Sequence, residues 1–184
     1  MGEMKDRMLA GESYRADDPD LAADSARAAE LTARYNAELD RAVRRDLLIE
    51  LLGSVGGGTT VRSEFRCDYG YQISIGAYCF VNWGGVFLDV GRITLGDHVQ
   101  IGPNVQLLTA THPLEAGPRR EGWEGSAPIT LGDNVWLGGG VIVLPGVTIG
   151  ADTVVGAGAV VTRDLPPGVL AVGNPARVVR DLQR

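Results

Sequence analysis

The run Ile129-Thr130-Leu131-Gly132-Asp133-Asn134-Val135-Trp136-Leu137-Gly138-Gly139-Gly140-Val141-Ile142-Val143-Leu144-Pro145-Gly146-Val147-Thr148-Ile149-Gly150 carries an aliphatic residue at every sixth position: Leu131, Leu137, Val143 and Ile149. The ladder continues forward through Val155 and Val161, and Leu95, Ile101 and Leu107 stand in the same phase upstream. Gly follows the aliphatic at 96, 102, 132, 138, 150 and 156, and four residues after each rung comes Val99, Val105, Thr111, Val135, Val141, Val147, Thr153, Ala159 or Leu165. A helix of ~3.6 residues per turn would smear a six-residue period around its whole circumference, so this repeat is not helical.

A longer period lies over the short one. Ile93-Thr94-Leu95-Gly96 returns as Ile129-Thr130-Leu131-Gly132 and as Val147-Thr148-Ile149-Gly150, with 36 residues from Leu95 to Leu131 and 18 from Leu131 to Ile149. Three hexapeptides therefore form one unit, the arithmetic of a triangular parallel β-helix whose coils stack at roughly 4.8 Å. The inward aliphatics fill the axis, and the glycines are expected to supply the backbone conformations of the corners. Ile73-Ser74-Ile75-Gly76 joins the series 20 residues before its counterpart, one coil plus a two-residue insertion, so irregular coils begin near residue 57. One further coil would turn Pro113, Arg119 and Gly125 inward, which is untenable; residues 113–128 read instead as a loop extruded from the prism. Loops longer than ~12–15 residues in a compact domain are usually functional.

Upstream the character changes. Asp18-Pro19 is a helix start, and Leu21, Ala28, Leu31, Tyr35 and Leu39 follow at helical spacing; Val43, Leu47, Leu48, Leu51 and Leu52 mark a second helix that stops at Gly53. The chain divides into a helical head, 1–55, and a β-helix, 56–184. The head either covers an open end of the prism or contributes to a binding pocket.

The 184 residues suit one compact domain with a small appendage, and 45% hydrophobic with 22% charged residues excludes wholesale disorder. A net charge of −6 argues against general electrostatic binding of nucleic acid. The start, MGEMKDRMLAGE, has no apolar run typical of a secretory signal, and no stretch approaches ~18 apolar residues, so a cytoplasmic protein with no membrane partner is expected. Cys67 and Cys79, twelve residues apart without a CxxC pair, read as reduced packing residues.

The chain has only two histidines, His98 and His112, too few for a three-histidine zinc site, and no metal is expected. His98 lies inside a repeat and reads as surface or packing. His112 stands at the root of the extruded loop. It is either a loop-root histidine bonded to a backbone carbonyl or a base, and an imidazole with an ordinary pKa near ~6.5 is suited to taking a hydroxyl proton. No Gly-x-Ser-x-Gly elbow is present, and Gly156-Ala157-Gly158-Ala159-Val160-Val161 lies in a rung rather than at a strand-to-helix turn, which removes it as a dinucleotide fingerprint. Arg163, Arg177 and Arg180 are either solvated charges or contacts to a phosphorylated cofactor.

Several strings converge on one family: Met8-Leu9-Ala10-Gly11-Glu12-Ser13-Tyr14-Arg15, Phe65-Arg66-Cys67-Asp68-Tyr69-Gly70-Tyr71, Thr109-Ala110-Thr111-His112-Pro113, Asn134-Val135-Trp136-Leu137-Gly138-Gly139 and Gly173-Asn174-Pro175-Ala176-Arg177. Over nearly the whole chain the sequence resembles the hexapeptide-repeat acyltransferases, above all the maltose and galactoside O-acetyltransferases. The resemblance implies a mainly β fold, a left-handed parallel β-helix, in a homotrimer that moves an acetyl group from acetyl-CoA to a sugar hydroxyl without a covalent intermediate. It implies His112 as general base and Asp68, Asn82, Asp89 and Glu124 lining the acceptor pocket. It implies Trp136, Gly139, Ala157, Thr162, Arg163, Arg177 and Arg180 along the CoA groove. Gly139 stands where galactoside relatives have serine, so only its backbone N–H is offered there, and Asp68 resembles the maltose branch. Two other readings remain, an antibiotic O-acetyltransferase of the same repeat class and a non-catalytic β-solenoid binding protein.

Overall fold

A computed structural model describes residues 2–182 of the chain. Three parallel sheets form a prism. The first face stacks Ser54–Val55, Ile73–Ile75, Ile93–Leu95, Ile129–Leu131 and Thr148–Ile149. The second stacks Thr60–Val61, Phe80–Val81, Gln100–Ile101, Trp136–Leu137, Val154–Val155 and Val169–Val172, and closes with the antiparallel strand Arg177–Asp181. The third stacks Arg66–Cys67, Val86–Leu88, Gln106–Leu108, Ile142–Val143 and Val160–Val161.

The ladder points inward as the period requires: Leu95, Ile101, Leu107, Leu131, Leu137, Val143, Ile149, Val155 and Val161 are all buried. So are the partners four residues on, except Thr111, which is exposed because the chain leaves the prism there and buries Thr109 instead. Coil length is not uniform. Ser54 pairs with Ser74 and Ser74 with Thr94, whereas Thr130 pairs with Thr148. The early coils are thus two residues longer than the later ones. The extra residues all fall at the corner from the third face to the first, and the coils begin at Ser54, slightly earlier than expected.

The glycines after the inward aliphatics have a different cause from the one expected. None of those at 76, 96, 102, 132, 138, 150 and 156 has positive φ; at the matching corners the left-handed positions lie two residues on, at Tyr78, His98, Asn104, Asn134, Gly140, Asp152 and Gly158. A Cβ on Gly102 would come within 2.5 Å of the Gly139 nitrogen, and one on Gly132 or Gly138 within 2.6 Å of Ala151 or Ala157 nitrogen. These glycines let one coil lie against the backbone of the next. The left-handed sites accept Asn and Asp because their short polar side chains tolerate that region.

Three helices precede the prism. α1 is Glu3–Leu9, α2 is Pro19–Ala37 and α3 is Arg41–Leu51. Asp18 caps α2 by accepting the Asp20 N–H at 2.8 Å, and Asp40 caps α3 through the Ala42 and Val43 N–H groups. Ala28, Leu31 and Tyr35 of α2 and Leu47, Leu48 and Leu51 of α3 join the prism core over Val61, Phe65 and Ile73. Leu39, expected on the apolar face, lies past the end of α2 and is 91% exposed. No helix among the described residues is long and apolar enough to cross a membrane.

Substituting Gly102 with Ala should destabilise the fold by about 1–3 kcal/mol, as overpacking against backbone does. Gly158→Asn, at a left-handed position with open space around it, should stay within ~0.5 kcal/mol. Urea unfolding at one protein concentration checks both; equal losses would remove the distinction between the two kinds of glycine.

Candidate active site

The corner from the third face to the first is where the repeat is interrupted. In three successive coils it carries Asp68 to Gln72, then Asp89 to Arg92, then the excursion from Thr109 to Pro128. The excursion is more ordered than a loop. It contains α4, Ala116–Arg120, and returns as Trp123–Ser126, which pairs antiparallel with Ala110–Thr111 on one side and with Tyr14–Arg15 of the head on the other. The register sets Thr111 opposite Gly125 and Tyr14 opposite Glu124, and His112 directly follows the last paired residue of its strand. Tyr14 and Glu124 are thus cross-strand partners, and His112 stands one residue beyond the pairing of the neighbouring strand.

The head thus does two jobs. α2 and α3 cover the end of the prism, while α1 and Tyr14–Arg15 build one wall of the site. Met8, Tyr14 and Leu21 pack with Tyr69 and Val90 in a second apolar cluster. The Tyr14 hydroxyl donates to Glu124 Oε2 at 2.8 Å. The Arg7 and Arg15 guanidiniums lie 5.7 and 6.0 Å from the Trp123 ring centre, holding the returning strand.

The wall is acidic. Burial, with Asp89 and Glu124 close by, pushes the Asp68 carboxyl up to about 6. Asp68 accepts no hydrogen bond among the described residues, which leaves its oxygens for a ligand. Burial and the same carboxylates push Tyr69 up to about 12, and burial together with Glu124 raises Tyr14 further. Tyr14 and Tyr69 escaped the sequence reading; Tyr14 stands in the quoted head string, but nothing in a six-residue ladder reports pairing between head and loop.

Asp89 departs from its expected place. It is fully buried, Oδ1 accepts the Asp68 and Tyr69 N–H groups at 3.0 and 2.9 Å, and Oδ2 accepts the Gln72 N–H at 3.3 Å. Its carboxylate does not face the cleft; it fixes the turn that presents Asp68. His112 is exposed and bonds no protein atom among the described residues, so the loop-root hydrogen bond is not made.

Asn82 is elsewhere. It sits at the corner from the second face to the third, where its Oδ1 accepts the Trp83 N–H at 2.9 Å. Gly139 and Ala157 occupy that same corner in later coils, and Trp136, Arg177 and Arg180 lie exposed on the second face before it. The Gly139 N–H donates to no acceptor among the described residues. Thr162 and Arg163 fall on the acidic corner instead. The expected residues thus form two groups separated by one face of the prism.

His98 has positive φ at an exposed corner and stacks on Tyr78, ring centres 5.2 Å apart, a packing role as expected. Cys67 and Cys79 are free thiols, and burial pushes Cys67 up to about 12. Among the described residues no three His, Cys, Asp or Glu side chains gather as metal ligands.

Comparison with known proteins agrees with this architecture. Residues 7–56 match the maltose acetyltransferase hexapeptide capping motif, and residues 128–163 match the bacterial transferase hexapeptide of six repeats. Nodulation protein L of Rhizobium meliloti is 51% identical over 95% of this chain and 96% of its own. The crystal structure of a maltose O-acetyltransferase from Clostridium difficile 630 superposes with a TM-score of 0.97 at 46% identity, covering 98% of each chain. A hexapeptide-repeat acetyltransferase of Vibrio cholerae, solved with acetyl-CoA, gives 0.94 at 41% identity over the full length of both. The chain belongs to the hexapeptide-repeat acetyltransferases, in the group that carries the maltose acetyltransferase cap, and is an acetyltransferase of that family.

Asp68 provides a test of the acidic wall. Its carboxyl sits above the ordinary value of 3.8, so the folded state holds the proton more tightly than the unfolded chain. Ionisation then costs stability as the pH rises through about 4 to 6, and the contribution of the neutral acid is intact only below that window. Asp68→Asn should raise the melting temperature at pH 8 and leave it nearly unchanged at pH 4. A gain of equal size at both pH values would contradict the assigned burial and charge crowding.

Proposed function

We propose that this protein transfers the acetyl group of acetyl-CoA to a hydroxyl of a sugar such as maltose or glucose, with His112 as general base, as a cytoplasmic homotrimer that uses no metal. The observation that carries this reading is the three-stranded sheet that brings the Tyr14–Glu124 hydrogen bond beside the strand leading into His112, with half-buried Asp68 at the same corner. An imidazole without a protein partner stands next to carboxylates suited to accepting hydrogen bonds from sugar hydroxyls. The two free thiols, Cys79 buried and Cys67 half-buried, fit a reducing compartment.

In the reaction His112 removes the proton as the acceptor oxygen attacks the thioester carbonyl. The oxygen of the tetrahedral intermediate carries the developing charge, and the Gly139 N–H is a donor placed without any side chain to obstruct it. Collapse breaks the C–S bond, and the thiolate leaves with the proton held by His112. Acceptor contacts fall to Asp68, Asn82 and Glu124, with Asp89 acting through the turn it fixes. The cofactor lies between subunits, along Trp136, Gly139, Ala157, Arg177 and Arg180 of one and Thr162 and Arg163 of the next.

The two corners explain the trimer. With six residues per face at roughly 3.3 Å each, adjacent corners of one prism lie ~15–20 Å apart, too far for one small sugar to meet Asn82 and His112 together. A neighbouring prism brings the corner of one subunit against that of the next, and each site is then shared.

His112→Ala should lower kcat by on the order of 10² to 10⁴ with acetyl-CoA affinity nearly unchanged, measured by thiol release and by equilibrium binding. Turnover above a third of the parent at neutral pH would refute the base assignment. Mixing His112→Ala and Asn82→Ala chains under conditions that reassort subunits should restore part of the lost activity. Proven exchange with no recovery would place the whole site in one chain.

A further inference from the structure

A second cleft, of about 460 Å³, lies between α3 and the first two strands of the second face, away from the acidic corner. Tyr35, Arg41, Arg44, Arg45, Arg62 and Phe80 line it, with no carboxylate among the lining residues. Four of the chain's 17 basic residues thus meet in one hollow of a protein whose net charge is −6. None of the four belongs to an ion pair among the described residues.

Three of the arginines are held in place by neutral groups. Arg44 donates to the Val61 carbonyl at 3.1 Å and lies 4.7 Å from the Tyr35 ring centre. Arg45 donates to the carbonyls of Val55, Gly56 and Thr59. Arg62 stacks over Trp83 at 4.4 Å and Phe80 at 5.6 Å, and donates no side-chain hydrogen bond among the described residues; nor does Arg41. Of the two acids adjacent in sequence, Asp40 spends its carboxylate capping α3, and Asp46 pairs with none of the arginines among the described residues. Arg41 and Arg44 stand in the first turns of α3, which has no acidic residue in its first turn. Cations at that end oppose the helix dipole, Asp40 at the cap is the one acid set against them, and an anion in the cleft would add to it.

We infer that this cleft binds a phosphate-bearing small molecule. Several preorganised guanidiniums suit a multiply charged tetrahedral oxyanion, because each planar fork reaches two oxygens at once. A single carboxylate would leave most of that charge unmatched. The site is separate from the proposed cofactor groove: along the second face three strand steps, on the order of 14 Å, lie between Thr60–Val61 and Trp136–Leu137, and six, on the order of 29 Å, between Thr60–Val61 and the strand bearing Arg177 and Arg180.

Calorimetric titration of inorganic pyrophosphate into the full-length protein saturated with coenzyme A tests this. Saturable binding of one pyrophosphate per chain is expected, weakened at least tenfold in the Arg41→Gln, Arg62→Gln double variant and unchanged in Arg177→Gln. Arg62→Lys, which keeps the charge and loses the fork, should fall between. Because the Arg41 and Arg62 side chains make no hydrogen bond among the described residues, the variants should melt as the parent does. If they do not, phenylglyoxal labelling of the parent, read by mass spectrometry, decides: pyrophosphate should slow modification of Arg41 and Arg62. Absence of saturable binding, displacement by coenzyme A, or indifference to the cleft variants overturns the inference. So does labelling that pyrophosphate leaves unslowed.

Discussion

Backbone stacked on backbone is the constraint from which the rest follows. Each coil must bring its N–H groups onto the carbonyls of a neighbouring coil, as Gly102 does with Leu137, Gly138 with Val155 and Gly156 with Ala171, each at 2.8 Å. At that separation a Cβ after the inward aliphatic has nowhere to go. The six-residue rhythm of aliphatic and glycine is therefore one requirement written twice, once for the axis and once for the gap between coils. Left-handed residues are a separate need, met two positions later by Asn104, Asn134 and Asp152 as well as by glycine.

A prism built this way is repetitive and chemically blank, and it acquires chemistry where the repeat is interrupted at constant phase. Here the interruptions share one corner. Two-residue insertions place Asp68 and Asp89 there in the first coils, and the long excursion places His112 and Glu124 above them. Buried Asp89 then ties the Asp68 turn from below, while Tyr14 reaches over from the head. Rigid coils on either side hold the register of the excursion, which is why Leu131 returns in phase.

The prism was legible because period is a global signal: every inward residue from Leu95 to Val161 obeys it, and a break such as Pro113 stands out. The helical head was legible from Asp18-Pro19 and from Leu21 to Tyr35, though Leu39 continued the spacing past the end of its helix. The candidate site was half legible. His112 is marked by its place at the break and Asp68 by its string, but Asp89 read as a pocket residue because spacing does not report which way a carboxylate turns at a corner. The pairing of Tyr14 with Glu124 joins residues 110 positions apart, and no local pattern encodes it. The arginine cleft went unread for the same reason, since Arg62 and the α3 arginines meet only once the head has docked.

The central claim is that the ladder folds on its own rhythm while the excursion carries the chemistry. Deleting residues 110–127 joins Thr109 to Pro128 and restores six-residue spacing between Leu107 and Leu131. The measurement is acetyl transfer by this shortened chain, made alongside its circular dichroism and cooperative unfolding. The account predicts a folded β-helix whose transfer rate falls by at least ~10², the lower end for loss of a general base. A shortened chain that still transfers acetyl groups, or one whose coils no longer fold, would contradict it.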